Sequence, residues 1–339
     1  MDSINIYIND GTPNAIIKSM AKELNVPINY ISNNNAKLCL PENIGTGCIQ
    51  QRFYKSGISV FEVKANLKQE INLLYDQGLL HPLKIIINKK ARFKHQFHDK
   101  KEPEYLNEQG SVALASIARQ KHTIFLPKNQ YISLLSIRIN RKEFESYVED
   151  FVDVMSEKLS DLLRDVNGVN PYFYEDYYDH NTLSILNKYF QNNYEGITES
   201  IYLEGLIYQL IGIQFNTISS NSFLSADEKR LSRTFSENIL RASKIVKSDV
   251  ASFSTVTDLG NKVNLNNKRL QQGFNKLFGM SVLEFVTNYR IEKMRDLLLE
   301  TDLTISEISY QLGINSPGYT SKIFKDKYGV SPKQYRKKS

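Results

Sequence analysis

Apolar residues recur at helical spacing in the last third of the chain, in two segments that repeat one arrangement about fifty residues apart. Each segment places two short apolar stripes around a break, which predicts two helices joined by a turn. The stripe residues are Val256, Leu259, Val263, Leu270, Phe274 and Phe278 in the first segment, and Ile305, Ile308, Leu312, Ile323, Phe324 and Tyr328 in the second.

Start and stop signals for helices agree with these stripes. Small polar residues that cap helix starts, some followed by Asp or Glu three residues later, precede each predicted helix, and Gly or Asn follows. The predicted caps are Thr255, Asn266, Ser281, Thr304 and Ser316, and the predicted turn or stop residues are Asn264, Gly279, Gly313 and Gly329. Because Asn266 aligns with Ser316 and Phe274 with Phe324, the two units share one register.

A longer helix is predicted between the units, from Ser281 to about Glu300. At about 1.5 Å per residue it spans roughly 30 Å. Successive major grooves on one face of B-DNA are roughly 34 Å apart. The pattern therefore predicts an all-α double helix-turn-helix domain that reads two adjacent grooves of double-stranded DNA.

The run from Leu265 to Arg336 resembles the DNA-binding domain of the AraC/XylS family of bacterial transcription regulators. The resemblance implies a structural set formed by Leu270, Phe274, Gly279, Arg290, Gly313, Phe324, Gly329, Pro332 and Tyr335. It also implies DNA contacts from Lys268, Gln271, Gln272, Gly318, Ser321 and Lys322. The sequence departs from the family at three positions: Thr320 replaces a bulky apolar residue, Gly318 is unusual in a recognition helix, and Asn264 replaces a turn glycine.

Charge divides the chain in the same place. The net charge is +6, but residues 226 to 339 hold 20 Lys and Arg against 12 Asp and Glu, a surplus of 8. The remainder is slightly acidic. A basic surplus confined to the predicted reader is what phosphate neutralisation requires.

The first two thirds of the chain change from strand-like to helical texture near residue 140. We expect an N-terminal extension over 1–40, a β-rich cupin-like sensor over 41–140, a helical region over 141–218, a linker over 219–225 and the reader over 226–339. The predicted strands are 57–63, 83–87, 92–97, 112–117, 122–126 and 132–139. The fold class is therefore α+β, a β-sandwich with a helical appendage followed by an all-α domain.

The segment order from Gly47 onward is similar to that of regulators that sense iron-siderophore complexes, which implies a small-molecule effector of that kind. The aromatic run from Pro171 to His180 could line its site or fix a loop on the core. His95 and His98 lie three apart on a predicted strand and face opposite ways, so we expect no metal site there. Two cysteines, Cys39 and Cys48, favour neither a disulfide framework nor a zinc site.

One helix near 200–215 carries Leu203, Leu206, Leu210 and Ile213 at coiled-coil spacing. This seam predicts a homodimer, although an ordinary buried helix would show the same spacing. Residues 219 to 222 then suggest a polar linker.

The sequence as a whole predicts a DNA-binding transcription regulator, an effector-responsive activator that works with RNA polymerase. Two alternatives stay open: an N-terminal half that only dimerises or binds proteins, and a DNA-binding enzyme. Because no catalytic signature accompanies the cysteines, we expect no enzyme activity and no cofactor. The absence of a signal peptide or long apolar run predicts a cytoplasmic protein without membrane contact.

Overall fold

The computed structural model describes residues 3–9, 14–54, 56–76, 82–98, 101–116, 120–220, 226–314 and 316–338. The chain forms two compact units. Unit 1 comprises residues 1–178 and 182–224, and unit 2 comprises residues 179–181 and 225–339.

Unit 1 is a β-sandwich flanked by helices. Its strands are β1 (Ile4–Asn9), β2 (Asn29–Ser32), β3 (Asn35–Cys39), β4 (Gly45–Phe53), β5 (Ile58–Leu67), β6 (Ile71–Asp76), β7 (Leu83–Lys90), β8 (Phe93–Phe97), β9 (Glu104–Leu106), β10 (Gly110–Ala115), β11 (Lys121–Leu126), β12 (Tyr131–Ile139) and β13 (Tyr172–Tyr177). One sheet has the order β1-β6-β11-β8-β9, and the other has the order β13-β10-β7-β12-β5-β4-β3-β2.

Strand β7 shows how the sequence builds this sandwich. It is buried on both faces, so it reads as a nearly continuous apolar run. Leu83, Ile85 and Ile87 face the helices, whereas Ile86 joins the core between the two sheets. Because strand side chains alternate, Lys84 shares the inner face with Ile86.

The N-terminal forty residues are part of the sandwich, so their assignment as a separate extension was wrong. Strand β1 pairs in parallel with β6 from Ile4 to Asn9, and helix α1 (Ala15–Leu24) buries its apolar face in the interior core. Strands β2 and β3 extend the larger sheet. Strand β1 has only six residues. An apolar pattern this short does not distinguish a strand from a loop.

Helices cover the outer face of the larger sheet. They are α2 (Arg141–Val148), a 3-10 segment (Glu149–Val154), α3 (Glu157–Arg164), α4 (His180–Phe190) and α5 (Gly196–Ser220). Leu203, Leu206 and Leu210 are fully buried in the core of their own unit, and Ile213 packs against it. The seam predicted to bind a second subunit is therefore occupied within the chain.

Unit 2 consists of helices α6 (Ala226–Ser248), α7 (Val256–Lys262), α8 (Asn267–Phe278), α9 (Val282–Glu300), α10 (Ile305–Gln311), α11 (Pro317–Tyr328) and α12 (Pro332–Lys338). Ser281 and Thr304 form complete capping boxes, and the side chains of Thr255 and Asn266 accept backbone N–H groups as predicted. Ser316 is the exception, since its side chain makes no capping bond and Pro317 opens the helix. Asn264 has the predicted left-handed conformation with φ 57°.

The predicted linker begins in a helix. Ser219 and Ser220 are the last residues of α5. Residues 221–225, including the expected cap Ser225, lie outside the described residues.

Candidate functional site

The exposed face of α8 carries two of the three predicted DNA-contacting residues. Lys268 and Gln272 are exposed one turn apart, opposite the buried Leu270 and Phe274. Gln271 is half-buried at the edge of this face. Its Oε1 accepts a hydrogen bond from the Val282 N–H at 3.3 Å, and its Nε2 donates to Asn275 at 3.4 Å. Gln271 therefore connects α8 to the start of α9, whereas Lys268 and Gln272 have the exposure expected of base-reading side chains.

Helix α11 presents its predicted residues in the same register. Gly318 and Lys322 are exposed, whereas Ser321 is half-buried in the position that corresponds to Gln271. The residue missed from the sequence is Tyr319, whose side chain is 61% exposed in the first turn of the helix. Tyr319 corresponds to Arg269 in the repeat, and that correspondence was the available signal. Because Gly318 has no side chain, Tyr319 and Lys322 are the large side chains on the exposed face of this helix that carries the predicted DNA contacts.

Buried residues hold both reading helices in place. Leu270, Phe274 and Phe324 are completely buried. Gly279 and Gly329 end α8 and α11 with φ 70° and 78°, in the left-handed region that favours glycine. Gly273 was not predicted to matter, yet a Cβ at this position would clash with Ile239 of α6. A side chain there would push α6 away from α8.

Arg290 fixes the middle of α9. Its Nη2 donates to the Val250 carbonyl at 3.1 Å. Burial lowers the pKa of Arg290 from its ordinary value, but an arginine remains charged at neutral pH. Arg290 thus has a positioning role inside unit 2, as the family resemblance implied.

Thr320 leaves space where its counterpart Leu270 fills the core. Its hydroxyl donates to the Ser316 carbonyl at 3.1 Å. A groove of about 220 Å³ opens beside it, lined in part by Arg290, Ile314 and Tyr319. The departure from the family at this position therefore loosens the packing behind the second reading helix.

A second candidate site lies inside the sandwich of unit 1. His95 on β8 and His122 on β11 are both buried. The Nδ1 atom of His95 lies 3.5 Å from the Nε2 atom of His122. The His122 ring stacks on Phe97 with 4.7 Å between centroids. Phe173, from the aromatic run, stacks on His95 at 5.4 Å. The aromatic run thus forms the edge strand β13 and also reaches this cluster.

Two cations join this cluster from the opposite sheet. Lys84 is only 1% exposed, and its Nζ lies 3.9 Å from the centre of the Tyr75 ring. Arg138, paired with Lys84 across the strands, lies 6.0 Å from the same ring. The Nδ1 atom of His122 and the hydroxyl of Ser116 have no hydrogen-bond partner among the described residues. We name Tyr75, Lys84, His95, His122 and Arg138 the interior cluster.

The sequence pattern could not show this cluster because its members come from five strands. His122 stands alone in the sequence and meets His95 only through the β8–β11 pairing. His98 points elsewhere, with its Nε2 at 3.0 Å from the Thr123 hydroxyl. Within the described part of the chain, no group of three or more His, Cys, Asp or Glu residues could hold a metal ion.

Acid should destabilise unit 1 through His122. Burial, with the charges of Lys84, His95 and His98, holds the pKa of His122 well below 6.5. The folded state therefore stays neutral while the unfolded state binds a proton as the pH falls below 6.5, so stability is lost in that window. The cost is about 1.3 kcal/mol on going from about pH 7.5 to pH 5.5.

Chemical denaturation of wild type and His122→Phe at both pH values measures this cost. We expect the wild type to lose more stability than the variant, by about that amount. Equal losses would show that His122 protonates as readily in the folded protein as in the unfolded one.

Comparisons with known proteins agree with both units. Residues 47–230 match the family described as the Regulatory protein PchR N-terminal domain, and residues 259–338 match a family described as a Helix-turn-helix domain. Among the described residues, no helix is long and apolar enough to cross a membrane.

Several relatives match the reader. The Msm operon regulatory protein of Streptococcus mutans is 34% identical over 94 residues, covering 28% of this chain and 34% of the relative. The Lactose operon transcription activator of Staphylococcus xylosus is 32% identical over 100 residues, covering 30% of this chain and 36% of the relative. The chain thus spans about a third of the length of these relatives.

A solved structure matches the same part of the chain. The C-terminal domain of AraT, a response regulator from Geobacillus stearothermophilus, is 31% identical, with 30% of this chain and 85% of that chain covered and a TM-score of 0.29. The sensor match covers more than half of the chain and the reader matches cover its C-terminal part. The chain belongs to the family of regulators that carry the PchR N-terminal domain, and its C-terminal part is a helix-turn-helix domain of the AraC/XylS type.

Proposed function

We propose that this regulator binds one DNA site through two adjacent major grooves. We also propose that it responds to a small anionic effector bound in unit 1. The observation that carries the DNA part is the matched exposure of Lys268 and Gln272 on α8 and of Tyr319 and Lys322 on α11. The helix between them in the chain, α9, has 19 residues and is therefore about 28 Å long, which is close to the roughly 34 Å between successive major grooves. Phosphate contacts would come from the basic surplus of residues 226–339.

Footprinting of the full-length protein tests this DNA arrangement. A site selected from genomic fragments should show two protected major grooves one helical turn apart, with affinity that falls steeply as salt rises. Protection of a single groove would overturn the two-groove proposal and leave the first reading helix as the only reader.

The effector part is supported by the interior cluster. Lys84 and Arg138 supply positive charge, Tyr75 supplies an aromatic face, and the Nδ1 atom of His122 can bind a further polar group. A carboxylate or phenolate oxygen that accepts from a lysine or arginine forms a charge-assisted hydrogen bond. A ferric siderophore with phenolate or carboxylate groups has this chemistry, whereas a neutral sugar does not.

Thermal unfolding of full-length protein with a panel of ligands tests the effector. A ligand that binds only the folded state raises the melting temperature. We expect a rise with a ferric phenolate siderophore, a smaller one with the iron-free compound and none with a ferric salt alone, and we expect Lys84→Met to abolish the rise. If no chelate raises the wild-type melting temperature, the N-terminal half is a passive dimerisation or protein-binding domain instead.

We further propose that the regulator is a homodimer that activates transcription with RNA polymerase in the cytoplasm, where its DNA lies. With the predicted seam buried, the outer face of α5 is the better surface. Ile197 and Ile201 are 78% and 66% exposed. Gly205 and Gly212 continue that face, and a Cβ built on either meets no atom within 4 Å. Two such faces could approach closely and bury their isoleucines.

Two variants distinguish this surface from the original seam. Ile201→Glu should give a folded monomer in light scattering, because it places a charge in the interface without touching the core. Leu206→Glu should lower the melting temperature strongly, because Leu206 is 4% exposed within its own unit. A folded dimer of Ile201→Glu would place the interface elsewhere.

A further inference from the structure

Cys39 and Cys48 form a pair that the sequence did not suggest. Cys39 ends β3 and stands directly opposite Cys48 on β4, and their sulfur atoms are bonded. Both cysteines of the sequence take part in this bond. The sequence favoured no disulfide framework, but residues nine apart in sequence become direct neighbours when the two strands pair.

The two sulfur atoms lie outside the core. Leu38 and Ile49, the adjacent residues on each strand, are completely buried between the sheets. Since side chains alternate along a strand, Cys39 and Cys48 point to the other face. Cys39 is exposed and Cys48 is half-buried. Small thiols in solution can therefore reach this pair without any unfolding.

The strands do not depend on the bond. Strand β4 is paired with β5 along all of its nine residues, and β3 contributes Ala36 and Leu38 to the interior core. The pair closes only a short loop, so its constraint on the unfolded chain is modest. Unit 1 should keep its fold with the two cysteines reduced.

The redox state of the compartment decides whether this pair is a permanent or a transient disulfide. A regulator that binds bacterial DNA works where thiols are kept reduced, and disulfides in such compartments are usually transient, catalytic or redox-sensing. An exposed pair that can close without moving its strands suits reversible oxidation. The redox proposal uses the DNA-binding assignment only to place the protein in a compartment where thiols are kept reduced.

We propose that Cys39 and Cys48 are a reversible thiol–disulfide site for low-molecular-weight disulfides of the glutathione class. The exposed Cys39 thiolate attacks one sulfur of the small disulfide, and a mixed disulfide forms as the first small thiolate leaves. The Cys48 thiolate then attacks the Cys39 sulfur and displaces the second. Two protein thiols lose two electrons and two protons, and one small disulfide becomes two small thiols. Cys39 is the entry residue and Cys48 the resolving residue.

The test uses the full-length protein in buffers with set ratios of reduced to oxidised glutathione. Acid quenching, alkylation of free thiols and intact mass spectrometry then report the state of each cysteine. We expect the internal disulfide to form in oxidising buffer and to open fully in reducing buffer, with circular dichroism unchanged. Cys48→Ser should accumulate several-fold more glutathione adduct than Cys39→Ser, since it keeps the entry thiol and lacks the resolving one.

Three results of this titration, and one result of its folding control, would overturn the proposal. Both thiols could stay reduced throughout, the bond could resist reduction while the protein is folded, or Cys39→Ser could hold more adduct than Cys48→Ser. The double variant Cys39→Ser/Cys48→Ser is the folding control. If it fails to fold, the bond is structural and the proposal fails. DNA binding measured on the same samples is a separate readout, so loss of the redox result leaves the DNA-binding function intact.

Discussion

Replacing Lys268 and Gln272 together with alanine should remove most sequence-specific DNA binding. A lysine can donate to guanine O6 and N7 and a glutamine can pair with adenine, each contact being worth roughly 1 to 3 kcal/mol of discrimination. Together they amount to roughly 2 to 6 kcal/mol, or at least about a thirtyfold loss of affinity for the selected site. Fluorescence anisotropy at one fixed salt concentration measures the affinity for the selected site and the affinity for a scrambled duplex.

The matched controls separate base reading from charge and from folding. Lys293→Ala removes an exposed lysine from α9, which is not one of the two reading helices, and should change the affinity little. Gln271→Ala should have a smaller effect than Gln272→Ala, because the Gln271 amide is engaged with Val282 and Asn275. If the double variant weakened binding to both duplexes equally, Lys268 and Gln272 would contact phosphates and the bases would be read elsewhere.

The reader could be predicted from sequence almost to its helix boundaries because its signals are local. A capping box such as Ser281 with Glu284 is complete within four residues, and a glycine such as Gly279 permits the left-handed conformation that ends a helix. Such features need no knowledge of the rest of the fold. The cap at Ser316 failed for an equally local reason, since its backbone, with φ −129° and ψ 87°, departs from that of the other caps.

The sandwich was predicted only as a class of fold because its important neighbours are distant in sequence. The pairing of His95 with His122 and of Cys39 with Cys48 depends on which strands lie side by side, and a single sequence does not give that order. Helix α5 shows a different limit. Its leucine spacing correctly predicts a buried face, but spacing cannot tell whether the chain's own sheet or another subunit buries it.

Arg52 is the residue whose loss should most destabilise unit 1. Its Nη1 donates to Glu62 and to the Tyr189 hydroxyl, both at 2.9 Å, and its Nη2 reaches Glu199 at 3.3 Å. These partners lie on β5, α4 and α5, so one guanidinium fastens two helices to the sheet. Burial and the neighbouring Glu62 raise the pKa of Tyr189 well above its ordinary value, so its phenol stays neutral and able to donate.

Arg52→Ala should cost about 3 to 5 kcal/mol of the free energy of unfolding, because it leaves the 6% exposed Glu62 with Lys64 as its remaining cation. Chemical denaturation measures the loss. Hydrogen exchange should show faster exchange in α4 and α5 and unchanged exchange in α8 and α9, since those helices belong to the other unit.

The comparison variants decide whether the cost comes from a buried Glu62 that keeps only Lys64 as its cation or from the lost hydrogen bonds of the guanidinium. Arg52→Met/Glu62→Leu removes both charges and keeps apolar volume, so it should recover much of the stability lost in Arg52→Ala. Glu199→Gln should cost less than about 1 kcal/mol, because this ion pair is partly exposed and Arg52 keeps its pair with Glu62. If the double variant were as unstable as Arg52→Ala, neither the buried Glu62 charge nor lost apolar volume would explain the cost, and the guanidinium hydrogen bonds to Tyr189 and Glu199 would be the main contribution.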